Sequence, residues 1–129
     1  MIHNDFEEFT VEITEKDMPK VNRVAEGLAK RVSKRMAMTN SRIRAYLKTE
    51  GLDIGDAEMR KIIQFIRQNN IVRRLCSSGK GYYVASTNEE WLEWLDSYRR
   101  RTNAMIYTLK CSIKNENTIN FDQSNLNKI

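Results

Sequence analysis

The stretch DAEMRKIIQFIRQNNIVRRLCSSGKGYYVAST, residues 56–87, passes through three patterns in turn. Met59, Ile62, Ile63 and Ile66 recur at the spacing of one helical face, with Asp56 placed to cap the start and Gln68, Asn69 and Asn70 closing the end. Two β-like runs follow, IVRRLC from Ile71 and YYVAS from Tyr82. The glycine-bearing SSGKG between them predicts a hairpin. Thr87, with Glu90 three residues on, then forms a capping box and opens a long helix that runs to about Lys114.

Upstream, Thr39, Asn40 and Ser41 are good cap residues for a second helix whose inward side is Ile43, Tyr46 and Leu47 and which Gly51 ends. A first helix begins near Asp17, with Pro19 in its first turn and Val21, Val24, Ala25, Leu28, Val32 and Met36 at helical spacing. In the stretch FTVEITE, Phe9, Val11 and Ile13 alternate as in a short strand. The expected organisation is an acidic leader over residues 1–16, one domain over 17–114 and a flexible asparagine-rich tail over 115–129. Helix, helix, turn, helix, hairpin, helix is the order of a mainly α protein with a small β-hairpin, specifically a winged helix-turn-helix with a long C-terminal helix.

Composition agrees with one helix-rich domain: 129 residues, 40% hydrophobic, 30% charged, with one proline and five glycines. The net charge of +5 is unevenly spread, because residues 17–87 carry 15 Lys and Arg against 6 Asp and Glu, whereas residues 1–16 carry 1 against 5. A basic middle behind an acidic leader points to a polyanionic partner, although a solvated lysine- and arginine-rich surface has the same composition. Cys76 and Cys111 have neither CxxC spacing nor a neighbouring histidine, so no metal, disulfide or redox pair is expected. With no apolar run of bilayer length and an acidic start, MIHNDFEEF, where a signal peptide would be basic, the expected location is cytoplasmic and no membrane partner is anticipated.

Enzyme chemistry finds little footing. The only histidine, His3, lies in the leader, and Asp53, Asp56 and Glu58 cluster where helix capping accounts for them. A phosphate-cradling nucleotide loop needs GxxxxGK followed by Ser or Thr and leading into a helix, whereas SSGKGYY lacks the earlier glycine and leads into a strand. No enzyme activity and no cofactor are therefore expected.

The candidate DNA contacts follow from the predicted faces. On the third helix, Ala57, Arg60, Lys61, Gln64, Arg67 and Gln68 lie opposite the apolar side, and Arg, Lys and Gln suit guanine and adenine edges as well as phosphates. Glu58 could accept from cytosine or complement the helix dipole. Thr39, Asn40 and Ser41 offer phosphate contacts at a helix start, and Arg42 and Arg44 leave the apolar face, with Arg42 the better phosphate candidate. At the hairpin, Gly79 and Gly81 allow the turn, Lys80 sits at its tip and Ser77 and Ser78 add hydroxyls, while Tyr82 and Tyr83 must point to opposite faces. Along the last helix Trp91, Leu95, Tyr98, Thr102, Met105, Leu109 and Ile113 form a seam that can wrap against a partner as a coiled coil or pack along the first helix of the same chain; a homodimer is expected, with Trp91, Leu95, Tyr98, Met105 and Leu109 as its principal contacts.

The run EMRKIIQFIRQNNIVRRLCSSGKGYYVAST, followed by EEWLEWLDSYRRRTNAM, resembles a group of small phage and prophage winged-helix proteins, over about residues 39–110. That resemblance implies a winged-helix fold, double-stranded DNA as partner, a bacterial host cell and a role in transcriptional regulation or DNA replication. It maps wing residues onto Gly79, Lys80 and Gly81, and recognition-helix positions onto Arg60, Lys61 and Gln64. A different class of function is an interaction module docking on a replication or host protein through Trp91, Trp94, Leu95 and Tyr98.

Overall fold

The computed structural model describes residues 9–116, so His3 and the asparagine-rich tail beyond Glu116 lie outside the described residues. It is mainly helical with one two-stranded antiparallel sheet, in the order α1 (Met18–Ala29), α2 (Asn40–Thr49), α3 (Asp56–Gln68), β1 (Leu75–Ser78), β2 (Gly81–Val84) and α4 (Asn88–Glu116). The chain falls into two compact units that divide after Trp94, within α4.

In the first unit, α1 buries Val21, Val24, Ala25 and Leu28, α2 buries Ile43 and Leu47, and α3 buries Met59, Ile62, Ile63 and Ile66. These stripes meet in one core with Ile54, Val72 and Leu75. Removing such side chains from water is the main drive to fold, on the order of 2 kcal/mol for each fully buried Leu, Ile or Val. Ion pairs knit the helices at the rim: Lys20 to Glu58 at 3.1 Å joins α1 to α3, and Arg23 grips Glu50 after α2 with two bonds of 2.9 Å. Tyr46, expected inward, is 58% exposed, because Ile43 and Leu47 already fill the narrow stripe that α2 turns to the core.

Local signals close these helices where expected. Thr39 caps α2 by accepting from the Arg42 N–H at 3.3 Å. Gly51, at φ +83°, ends it while the Leu52 N–H bonds back to Leu47. Asn70, at φ +50°, ends α3 in the same left-handed way, with the Ile71 N–H donating to Ile66 O at 3.0 Å. Asp56 is not the cap of α3. Gly55 holds that position, and Asp56 is the first helical residue, its carboxylate bonded to Arg60 and 3.8 Å from Arg44.

Three predicted elements take a different form. The first helix stops at Ala29 instead of continuing through Val32 and Met36. Beyond it the chain bonds to the free edge of β2: Val84 N–H donates to Arg31 O at 2.7 Å and Ser33 N–H to Val84 O at 2.8 Å. A one-turn helix, Lys34–Met36, follows, and then Met38 and Tyr82 exchange two backbone bonds of 3.1 and 2.9 Å. Satisfying that sheet edge outweighs extending an apolar stripe whose last members, Val32 and Met36, are 48% and 41% exposed. The first hairpin strand starts at Leu75, not Ile71, because residues 71–74 form a turn in which Arg74 has φ +58°.

The leader forms no strand over residues 9–13. Instead the Gln68 carboxamide takes the place of a strand edge, accepting from Val11 N–H and donating to Phe9 O, both at 2.8 Å.

The hairpin pairs Leu75 with Val84 and Ser78 with Gly81, leaving Gly79 and Lys80 as a two-residue loop. Both faces of the hairpin are covered. Leu75, Tyr82 and Val84 pack on the helical core, whereas Cys76, Tyr83 and Ala85 form a second cluster with Ala37, Trp91 and Trp94. Of the two tyrosines, Tyr83 is therefore the buried one and Tyr82 stays half-buried. The start of α4 is fixed by Thr87, which accepts from Glu90 N–H at 3.1 Å, while the Glu90 carboxylate accepts from Ser86 N–H at 3.1 Å.

Burial, and next the nearby Glu90 charge, push the Cys76 thiol up to about 11. It stays protonated at neutral pH and shielded from reagent. Cys111 on α4 is only half-buried. Native protein should therefore titrate one thiol rapidly with an aromatic disulfide reagent and the second only on unfolding. Two equally fast thiols would contradict the burial of Cys76.

The described residues of the second unit, from Leu95 to Glu116, are the remainder of α4. Asp96 pairs with Arg99 at 3.3 Å and Arg100 at 2.9 Å, and the Arg101 guanidinium lies 5.5 Å from the centre of the Tyr98 ring.

Candidate nucleic-acid interface

The outward face of α3 is narrower than the periodicity predicts. Ala57, Arg60, Lys61 and Gln64 are exposed. Glu58 is taken up by Lys20. Gln68 is bound to the leader backbone, and Arg67 is half-buried, its guanidinium 5.0 Å from the Trp94 ring centre and 5.8 Å from that of Tyr82. Arg67 thus acts first as a stacked cation bracing α3 against the hairpin and the start of α4, a contact worth about 1–2 kcal/mol when partly desolvated. Sequence spacing sets Arg67 off the apolar stripe of α3, but carries no signal that Trp94, 27 positions away, returns to cover it.

At the start of α2, Thr39 Oγ1 serves the cap and lies 3.3 Å from the Ser41 hydroxyl. Asn40 Oδ1 accepts from Arg44 Nε at 2.6 Å, so Arg44, also beside Asp56, is a brace between α2 and α3. Arg42 is exposed and makes no ion pair among the described residues. The same holds for Lys61 and Lys80, and for Lys34 and Arg35 in the turn along the edge of β2. Arg60 is exposed but shares the Asp56 carboxylate. That carboxyl is held below its ordinary value of 3.8, chiefly by the Arg60 hydrogen bond and then by the charges of Arg60 and Arg44.

These elements converge. One open cleft of about 280 Å³ is lined by Thr39, Asn40, Arg67, Ser77, Ser78, Gly79, Gly81 and Tyr82. It therefore joins the N-terminus of α2, the last turn of α3 and the hairpin turn. The exchange of backbone bonds between Met38 and Tyr82 brings the first and third of these together. Gly81 makes that approach possible: at φ +116°, an added Cβ would stand 2.2 Å from the Met38 carbonyl and 2.4 Å from Thr39 N. Gly79 has nothing within 4 Å and no such demand. At the turn, Ser78 Oγ accepts from Lys80 N–H at 3.2 Å, leaving the Lys80 side chain exposed.

The walls of this cleft offer donors of the kinds that hold an anion: the N-terminus of α2, two serine hydroxyls and a guanidinium. In the sequence Tyr82 is one of an alternating pair, and its place beside Arg67 in this wall follows from the sheet edge that sequence does not reveal.

Of the seam residues, Trp91 is drawn into the cluster beneath the hairpin, stacked on Trp94 with ring centres 5.6 Å apart. Leu95, Tyr98, Met105 and Leu109 are exposed on α4.

Among the described residues no group of three or more His, Cys, Asp or Glu could hold a metal ion, and no helix is long and apolar enough to cross a membrane. No protein-family model, curated protein or solved structure matches the chain.

Proposed function

We propose that the chain is a double-stranded-DNA-binding protein of winged helix-turn-helix type, with α2 and α3 as the helix-turn-helix and β1–β2 as the wing. In this reading α3 enters the major groove with Arg60, Lys61 and Gln64 toward base edges. The start of α2, with Arg42, holds phosphate, and Lys80 reaches the backbone or minor groove beside it. The observation that carries the proposal is the cleft joining the start of α2, the last turn of α3 and the hairpin turn, on elements whose exposed cations Arg42, Lys61 and Lys80 have no ion-pair partner among the described residues. Cations left unpaired by a protein's own carboxylates are the ones free to replace counterions on phosphate.

A role in transcriptional regulation or replication of a phage or prophage is part of the proposal and rests on the resemblance over residues 39–110. The alternative, docking on a replication or host protein through the tryptophans, draws less support, since Trp91 and Trp94 are occupied by Cys76, Tyr83, Ala85 and Arg67.

The test is a salt titration of binding to duplex DNA, followed by fluorescence anisotropy. About four phosphate contacts give a slope of log K against log salt near −3.6. Micromolar or weaker binding with no salt slope would sink the proposal.

A further inference from the structure

The continuation of α4 past Trp94 carries an apolar stripe whose members are largely exposed. Tyr98 is 50% exposed, Met105 73%, Ile106 44%, and Leu109 and Ile113 both 59%, with Leu95 at 38%. At 1.5 Å per residue the stripe from 95 to 113 is about 28 Å long, and a continuous apolar strip of that length on a small unit marks an interface. Its polar member does not oppose burial: the Thr102 hydroxyl already donates to Tyr98 O at 3.0 Å.

Two features select the occupant. First, the stripe is nearly symmetric about Thr102, with Leu95 and Leu109 seven positions to either side and Tyr98 and Ile106 four to either side. A twofold axis running through the middle of a helix requires that symmetry, and an unrelated partner does not. Second, charge is segregated along α4 as far as Lys114: Glu89, Glu90, Glu93 and Asp96 precede Arg99, Arg100, Arg101, Lys110 and Lys114, with Glu116 the one acid at the far end. At 100° per residue, Asp96, Lys110 and Lys114 fall on one flank of the stripe. Antiparallel pairing sets like flanks together, so Asp96 of one helix lies toward the Lys110 and Lys114 end of the other. Parallel pairing stacks acidic half on acidic half and basic on basic.

We infer that this face is the interface of an antiparallel homodimer, formed by two copies of α4 crossing at Thr102. The pairing is independent of whether the protein binds DNA.

Sedimentation equilibrium on the full chain tests the association. Wild type should be dimeric at tens of micromolar, and Leu109→Lys should weaken association at least 100-fold with its helical circular dichroism unchanged, because Leu109 is 59% exposed and outside the core of the first unit. A monomeric wild type at 100 μM overturns the inference. Orientation is read by mild oxidation in a Cys111→Ser background. An equimolar mixture of Leu95→Cys and Leu109→Cys chains should give a disulfide-linked pair containing one of each, with little linkage in either alone. Self-linkage of each variant without the mixed pair means parallel helices and overturns it equally.

Discussion

Replacing Gly81 with alanine should unfold or nearly unfold the first unit, whereas the same change at Gly79, two residues away, should be close to silent. Two effects add at Gly81. Its φ of +116° is one that residues with a Cβ rarely adopt, and the Cβ would sit 2.2 Å from the Met38 carbonyl, where backbone and not a flexible side chain must move. Relief requires separating β2 from the segment at Met38, breaking the two bonds with Tyr82 and opening the cleft wall. The expected cost is about 3 kcal/mol or more, which for a unit of this size lowers the melting temperature by more than about 12 °C. Gly79→Ala should stay within about 0.5 kcal/mol of wild type. Thermal melts of the two variants side by side decide the matter. Equal melting temperatures would mean that the hairpin turn is not anchored at Met38.

The second large effect concerns DNA. Arg42→Ala, Lys61→Ala and Lys80→Ala combined should lower affinity for duplex DNA on the order of 100-fold at moderate salt and flatten the salt slope by roughly 2, the share of Arg42 and Lys80 as the phosphate contacts. Each residue is exposed and has no ion-pair partner among the described residues, so the folded state should melt near the wild-type temperature. Arg44→Ala makes a useful contrast. It removes the brace to Asn40 and Asp56, so its effect should appear in stability more than in the salt slope. Unchanged affinity and slope in the triple variant would show that DNA, if bound, is held elsewhere.

Much of the architecture was legible because it rests on local chemistry. The stripes of α1 and α3, the Thr39 and Thr87 caps, the Gly51 stop and the hairpin around Gly79 and Lys80 are all set by residues within a few positions of one another. What was not legible depends on partners distant in sequence. Val32 and Met36 keep helical spacing, yet the free edge of β2, some 50 residues later, takes that segment's backbone bonds. Phe9 and Val11 alternate like a strand, yet meet the Gln68 side chain instead of a sheet.

The site shows the same division. Lys61, Gln64, Arg42 and Lys80, placed outward by facing and residue type, are exposed. Arg67 and Gln68 were drawn from the same face, but stacking on Trp94 and clamping of the leader give each a structural task that helical periodicity does not encode. Trp91, assigned to the dimer seam by its spacing, packs beneath the hairpin because Cys76, Tyr83 and Ala85 leave an apolar face there to be covered.

The central claim is that the face built from the start of α2, the outward side of α3 and the hairpin turn holds duplex DNA. Backbone amide chemical-shift changes on titrating isotope-labelled protein with a short duplex test it most directly. The account predicts the largest shifts at residues 39–42, 57–64 and 78–81, with Lys20, Arg23 and the far side of α1 little affected. Shifts absent from those three segments, or concentrated on α4 beyond Leu95, would contradict it.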